Sequence, residues 1–178
     1  MGEPKAGEPM KNVYRMGWFA LLAAGLCIGC GEESDGDSAA ALVIEETGVA
    51  GTVNGQAWTM TVGFTKPFLS DETSFRVELF ADDTMECGSS AYEGSHIILA
   101  VPTTAGEYAF GPSLNGTFVY TNAEDRLINA VSLDGRLVVD EVTDERIRGG
   151  VVMTHPSGHR ISGQFDIAVC PDPRPSPG

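Results

Sequence analysis

Over residues 47–170 apolar side chains return at every second position, and Gly, Pro, Asn-Gly or Asp-Gly breaks the pattern every few residues. A period of two puts alternate side chains on opposite faces of an extended chain, so one face can be buried while the other meets water. The last segment shows this most cleanly: Ile161, Gly163, Phe165, Ile167 and Val169 alternate with Arg160, Ser162, Gln164, Asp166 and Ala168. Strands are expected there and over 74–81, 95–101, 107–110, 117–121 and 146–154. Two hairpins are expected. Asn54-Gly55 joins 49–53 to 56–62, and Asp134-Gly135 joins 127–133 to 136–142, because both dipeptides tolerate the positive φ of a type I′ turn. About ten short strands with no helical stretch imply an all-β domain, an antiparallel β-sandwich or a meander-type barrel, with the short connections favouring the meander. A domain of about 124 residues buries very roughly two-thirds of its unfolded surface, enough for one core.

The ends of the chain have a different composition. Lys11 and Arg15 precede an apolar run of eleven residues from Trp18 to Ile28, then Gly29-Cys30, then the acidic string from Glu32 to Asp37. A bilayer-spanning helix needs about 20 apolar residues, so the run is read as the core of a cleaved signal peptide over 1–29. Met10-Lys11-Asn12 makes a more natural start than Met1, whose neighbours Glu3 and Glu8 oppose the usual positive charge. Residues 30–46 read as an acidic tether, extended by repulsion among Glu32, Glu33, Asp35 and Asp37. Residues 171–178 carry Pro at every second position and read as a disordered tail. The domain proper is then 47–170.

Charge narrows the partners. The 178-residue chain has 11 Lys and Arg against 25 Asp and Glu. Loss of 1–29 removes Lys5, Lys11, Arg15, Glu3 and Glu8, leaving 8 cations against 23 acids, a charge of about -15. No nucleic acid is expected as a partner. Anionic lipid is repelled as well, so attachment to a membrane requires covalent acyl chains, at about 0.8 kcal/mol per buried CH₂.

No residue is assigned to catalysis, and neither a metal site nor a cofactor is expected. Gly111-Pro112-Ser113-Leu114-Asn115 begins like a nucleophile elbow but lacks the closing Gly and a following helix. Pro156-Ser157-Gly158 between His155 and His159 spells a turn, so the pair cannot share a helix face as zinc ligands do, and both are expected to be exposed there. His96, next to Ile97 and Ile98, reads as a packed or edge histidine. Acidic groups such as Asp82, Asp83 and Glu86, or Asp140, Glu141, Asp144 and Glu145, follow from the high acidity and identify neither a glycosidase nor a calcium loop. Phe80 breaks the alternation of Phe75, Val77 and Leu79 and is expected to face outward as an exposed aromatic. Cys87 and Cys170 are the two cysteines within the domain, and in an oxidising compartment they are expected to form a disulfide.

The ending Ile28-Gly29-Cys30 resembles the signal of bacterial lipoproteins, in which a small residue precedes the cysteine that receives lipid; Cys27 stands where that pattern usually has Leu. Together with Gly51-Thr52-Val53-Asn54-Gly55, Trp58, and the closing Gly163-Gln164-Phe165 and Cys170, the chain resembles a group of small bacterial envelope lipoproteins over residues 30–170. That resemblance implies lipidation at Cys30 and an all-β exported domain, and it brings no activity. Gly55-Gln56-Ala57-Trp58 also resembles the Gly-x-Trp of lipocalins, with one residue more. The expected protein is anchored in the bacterial outer membrane, faces the periplasm or cell surface, and acts as a binding or structural module for an envelope protein, glycan or small ligand. A carboxylate-based hydrolase would need a deep pocket with two carboxylates, and a lipocalin-like carrier an unfilled interior.

Overall fold

The computed structural model describes residues 42–89 and 94–171, apart from the side chain of Phe68. The leader, Cys30, most of the tether and the tail beyond Pro171 lie outside the described residues. Asn54 and Gly55 take φ of 52° and 71°, the geometry of the type I′ turn, and they join β1 (Ala50–Val53) to β2 (Gln56–Thr59). Then come β3 (Val62–Thr65), a 3-10 turn at Pro67–Leu69, β4 (Ser74–Phe80), β5 (His96–Pro102), β6 (Gly106–Ala109) and β7 (Gly116–Thr121). β8 (Leu127–Ser132), β9 (Asp134–Val142), β10 (Arg146–His155) and β11 (His159–Ala168) complete the domain.

The strands make one open, curled sheet. Along its path the order is β6-β9-β10-β11-β3-β4-β5-β7-β8, with β1 paired to β11 and β2. Two antiparallel runs, β9-β10-β11 and β3-β4-β5-β7-β8, meet where Ala168 of β11 lies parallel to Phe64 of β3. The run β9-β10-β11 is a meander, but the other is not, because β6 leaves it between β5 and β7 to pair with β9. Curling brings the end of β8 over β10, where the Ser132 hydroxyl donates to the Thr154 carbonyl.

The second expected hairpin does not form. β8 and β9 are not partners, and the chain passes through Leu133 straight from one into the other. Gly135 is not among the residues with positive φ. It is buried, and a Cβ there would stand 2.6 Å from the Val152 carbonyl oxygen and 2.7 Å from the Phe110 ring. The Asp-Gly pair therefore serves a close approach of strands, which the sequence signal of a turn cannot distinguish.

The core fills the concave side. Val77, Leu79, Ile97, Leu99, Phe118 and Ile161 are each 0% exposed, and burial of each such side chain stabilises by about 1.5–3 kcal/mol. Trp58 joins them, and its indole N–H donates to the Ser95 carbonyl at 3.0 Å. Part of the segment read as tether also lies against the sheet. The Ser162 hydroxyl donates to the Val43 carbonyl and accepts the Glu45 N–H, both at 2.9 Å, and the Gln164 amide donates to the Glu45 carbonyl at 3.3 Å. Outward polar residues of β11 thus satisfy backbone groups of residues 43–45.

Candidate binding site

On β4 the side chains of Val77 and Leu79 enter the core, whereas Phe80 joins a second apolar cluster with Phe64 and Cys170. Phe80 does leave the face of Phe75, Val77 and Leu79, but it is fully buried. Its ring stacks on Phe64 at 5.2 Å and on His96 at 5.5 Å. The cover comes from the chain after β4: Met85 packs on this cluster, and Cys87 is bonded to Cys170 with a Cα separation of 5.6 Å. The expected disulfide is therefore present. It pins the stretch 81–89 over the outer face of β3 and β4 and gives the sheet a local second layer.

Lys66 sits at the edge of this layer. Its ammonium donates to the Ser89 carbonyl at 2.6 Å, lies 3.4 Å from a Glu78 carboxylate oxygen, and stands 4.9 Å from the centre of the Phe64 ring. Both side chains of the pair are largely screened from water, at 18% and 15% exposure. Each charge then depends on the other, because desolvation without a partner is costly.

Three depressions border the connection 66–73. A cleft of about 560 Å³ runs between Thr65–Leu69, Glu78, the disulfide and Ser89. Another of about 390 Å³ lies beside Asp71, Glu72, Phe75 and Val169, and a small one of about 120 Å³ lies over Arg76, Ala100 and Asn115. The connection itself is held firmly. One Asp71 oxygen accepts the Thr73 N–H and hydroxyl, each at 2.7 Å, and the Ser74 N–H at 2.8 Å. These bonds, the Thr73 hydroxyl first, hold the Asp71 carboxyl below the usual carboxylate range. Leu69, 63% exposed, stands at the rim. The surface combines apolar walls with a neutralised ion pair, which suits recognition of a ligand. Among the described residues Glu78 is the one carboxylate lining the largest of the three, and it is already paired with Lys66.

The other residues singled out in the sequence are scattered. Gly111-Pro112-Ser113 forms the connection between β6 and β7, closed by the Gly111 N–H donating to the Leu114 carbonyl, with no helix after it. Asp82 caps Thr84, and Glu141 pairs with Arg148 at 3.2 Å. Among the described residues no group of three His, Cys, Asp or Glu is placed to hold a metal ion, and no helix is long and apolar enough to cross a membrane.

His155 and His159 do flank a hairpin turn, but the expectation that both are exposed fails. His159 is 3% exposed, packed on Phe118 at 5.2 Å, on Tyr120 at 4.8 Å and on His155 at 5.7 Å. Its Nδ1 accepts the Asn54 N–H at 3.0 Å, which places the proton of the neutral ring on Nε2. Burial, and then the neighbouring His155, keep its pKa below the ordinary histidine value. The aromatic pocket beneath the β1–β2 turn overrides the exposure that a Pro-Ser-Gly turn implies. His96 is packed as expected, and its burial likewise lowers its pKa, against the opposing hydrogen bond to Gly94.

Neither a protein-family model, nor a curated protein, nor a solved structure matches the chain. Lys66, Arg76 and Glu78 carry no sequence motif. They are ordinary outward residues of an alternating strand and its neighbour, and only the layer folded over them makes them a site. The signal that could have found them is Phe80 out of phase, followed by Cys87 seven residues later.

Proposed function

We propose that the protein is a lipid-anchored protein of the bacterial envelope, held at Cys30 in the outer membrane, that works as a binding module through the outer face around residues 66–73. One observation carries the binding part: side chains fill the concave side of the sheet, while the clefts open on the outer face beside a disulfide-pinned layer. A carrier of lipocalin type would need the opposite arrangement. The anchoring part rests on Ile28-Gly29-Cys30 after an apolar run too short to span a bilayer, and on the -15 charge that leaves acyl chains as the means of attachment. We read the curled sheet as an opened barrel, supported by the Ser132–Thr154 bond that draws β8 toward β10. The partner is an envelope protein, a glycan or a small ligand.

The test is capture from detergent-solubilised envelopes by the immobilised full chain, with Ser89→Trp as the comparison. That substitution keeps the carbonyl that Lys66 uses and fills the 560 Å³ cleft. The expected result is a bound species lost in Ser89→Trp; a species retained equally by both proteins, or none, contradicts the assignment of the face.

A further inference from the structure

Arg76 differs from five other cations of this acidic surface. Lys66, Arg126, Arg136, Arg146 and Arg148 each lie within 4 Å of a carboxylate, at 3.1–3.7 Å. Arg76 has no such partner among the described residues, and its Nε is buried without a hydrogen-bond partner. A guanidinium carries five donors in a fixed fork and cannot lose its charge, so an unpaired buried N–H is costly unless something accepts it.

The surroundings define what that acceptor is. Arg76 of β4 faces Ala100 of β5 in register, and the Ala100 N–H donates to the Asn115 carbonyl. The short side chain of Ala100 leaves open the depression of about 120 Å³ over this row. Ser74, Asn115 and Thr117 contribute polar residues to its lining, and Leu69, Phe75 and Ile98 contribute apolar ones. A single cation on a mature chain of about -15 matches a monoanion, because a phosphate dianion would meet excess repulsion. The planar fork fits a carboxylate through two parallel N–H···O bonds.

We propose that Arg76 and the depression over Ala100 bind a carboxylate carried on a short apolar group. The inference rests on the binding reading above and gives one part of that face its ligand chemistry. Two sources present this chemistry: a free small carboxylic acid, or the terminal carboxylate of a peptide.

The test is calorimetric titration of the detergent-extracted full chain with three probes: butyrate, acetyl-Ala-Ala, and acetyl-Ala-Ala with an amidated end. The expected result is saturable binding of a carboxylate probe, absent for the amide and weakened at least about tenfold in Arg76→Gln. Arg76→Lys, which keeps the charge and loses the fork, should bind more weakly than wild type and more tightly than Arg76→Gln. Butyrate binding as tightly as the peptide identifies a free acid as sufficient; preference for the peptide identifies a chain terminus. Equal binding by wild type and a folded Arg76→Gln overturns the proposal, as does equal response to chloride or sulfate. Absence of carboxylate binding by the wild type overturns this site alone, since capture blocked by Ser89→Trp reads the larger cleft.

Discussion

Removing the Cys87–Cys170 bridge separates the two layers of the domain energetically. The bridge spans a sequence separation of 83, and closing a loop of that length in the unfolded chain accounts for about 4–5 kcal/mol in the chain-entropy model. A domain of this size is stable by about 5–15 kcal/mol in all, so the loss is large but survivable. At about 2.1 cal/mol/K of unfolding entropy per residue, the double variant Cys87→Ser, Cys170→Ser should melt about 15–20 °C lower. The structure adds a spatial expectation. Cys170 belongs to the outer cluster with Phe64 and Phe80, whereas Trp58 sits in the concave core. Trp58 fluorescence and far-UV circular dichroism at 25 °C should therefore stay native, while amide exchange quickens at residues around Phe64, Phe80 and Lys66. Melting at the wild-type temperature would refute the long-loop closure. Loss of the Trp58 signal together with the outer-layer signals at 25 °C would refute the two-layer reading.

Acid should destabilise the domain through His159 and His96, both of which titrate below the ordinary value of 6.5 because they are buried. A lowered histidine pKa means that the unfolded chain binds the proton first. Its stabilising effect is full above about pH 6.5 and fades as pH falls toward the folded value. Urea midpoints measured from about pH 7.5 down to 5 should decline, and His159→Phe should flatten the slope while lowering the midpoint at pH 7.5, because the Asn54 N–H loses its acceptor. Gly135→Ala should cost about 1–3 kcal/mol in urea unfolding, from overlap with the Val152 carbonyl and the Phe110 ring. Gly48→Ala, with nothing within 4 Å of the added carbon, serves as the near-neutral control; equal midpoints for the two variants would count against the strand approach at Gly135. Removing one member of the Lys66–Glu78 pair should destabilise more than replacing both with Met, since a lone charge at this depth has lost its partner; strict additivity in the double-mutant cycle would contradict the coupling.

Much of the strand content was legible because most runs are buried on one face and alternate accordingly. β5 and β11 follow their apolar pattern closely, whereas β10 is buried on both faces from Gly149 to Met153; Asn54-Gly55 forms its turn because both residues accept positive φ. Pairing order was not legible. The parallel meeting of β11 and β3 and the detour of β6 to β9 depend on how the sheet curls, a long-range property that no local period encodes. Asp134-Gly135 misleads for a related reason: a glycine needed for room between strands and one needed for a turn look alike in sequence. The candidate site was half legible. Cys87 and Cys170 were expected to be bonded and Phe80 to leave the face of its neighbours, but the layer that buries Phe80 and neutralises Lys66 against Glu78 emerges only when the bridge and the sheet are combined.

The proposed attachment at Cys30 sets where the domain would operate. Cells grown with labelled palmitate and expressing either the wild type or Cys30→Ala give the direct measurement. Label is expected on the wild-type protein and not on the variant, with release of the variant from the membrane fraction. Equal labelling of the two, or a freely diffusible wild-type protein with its leader intact, would contradict the attachment.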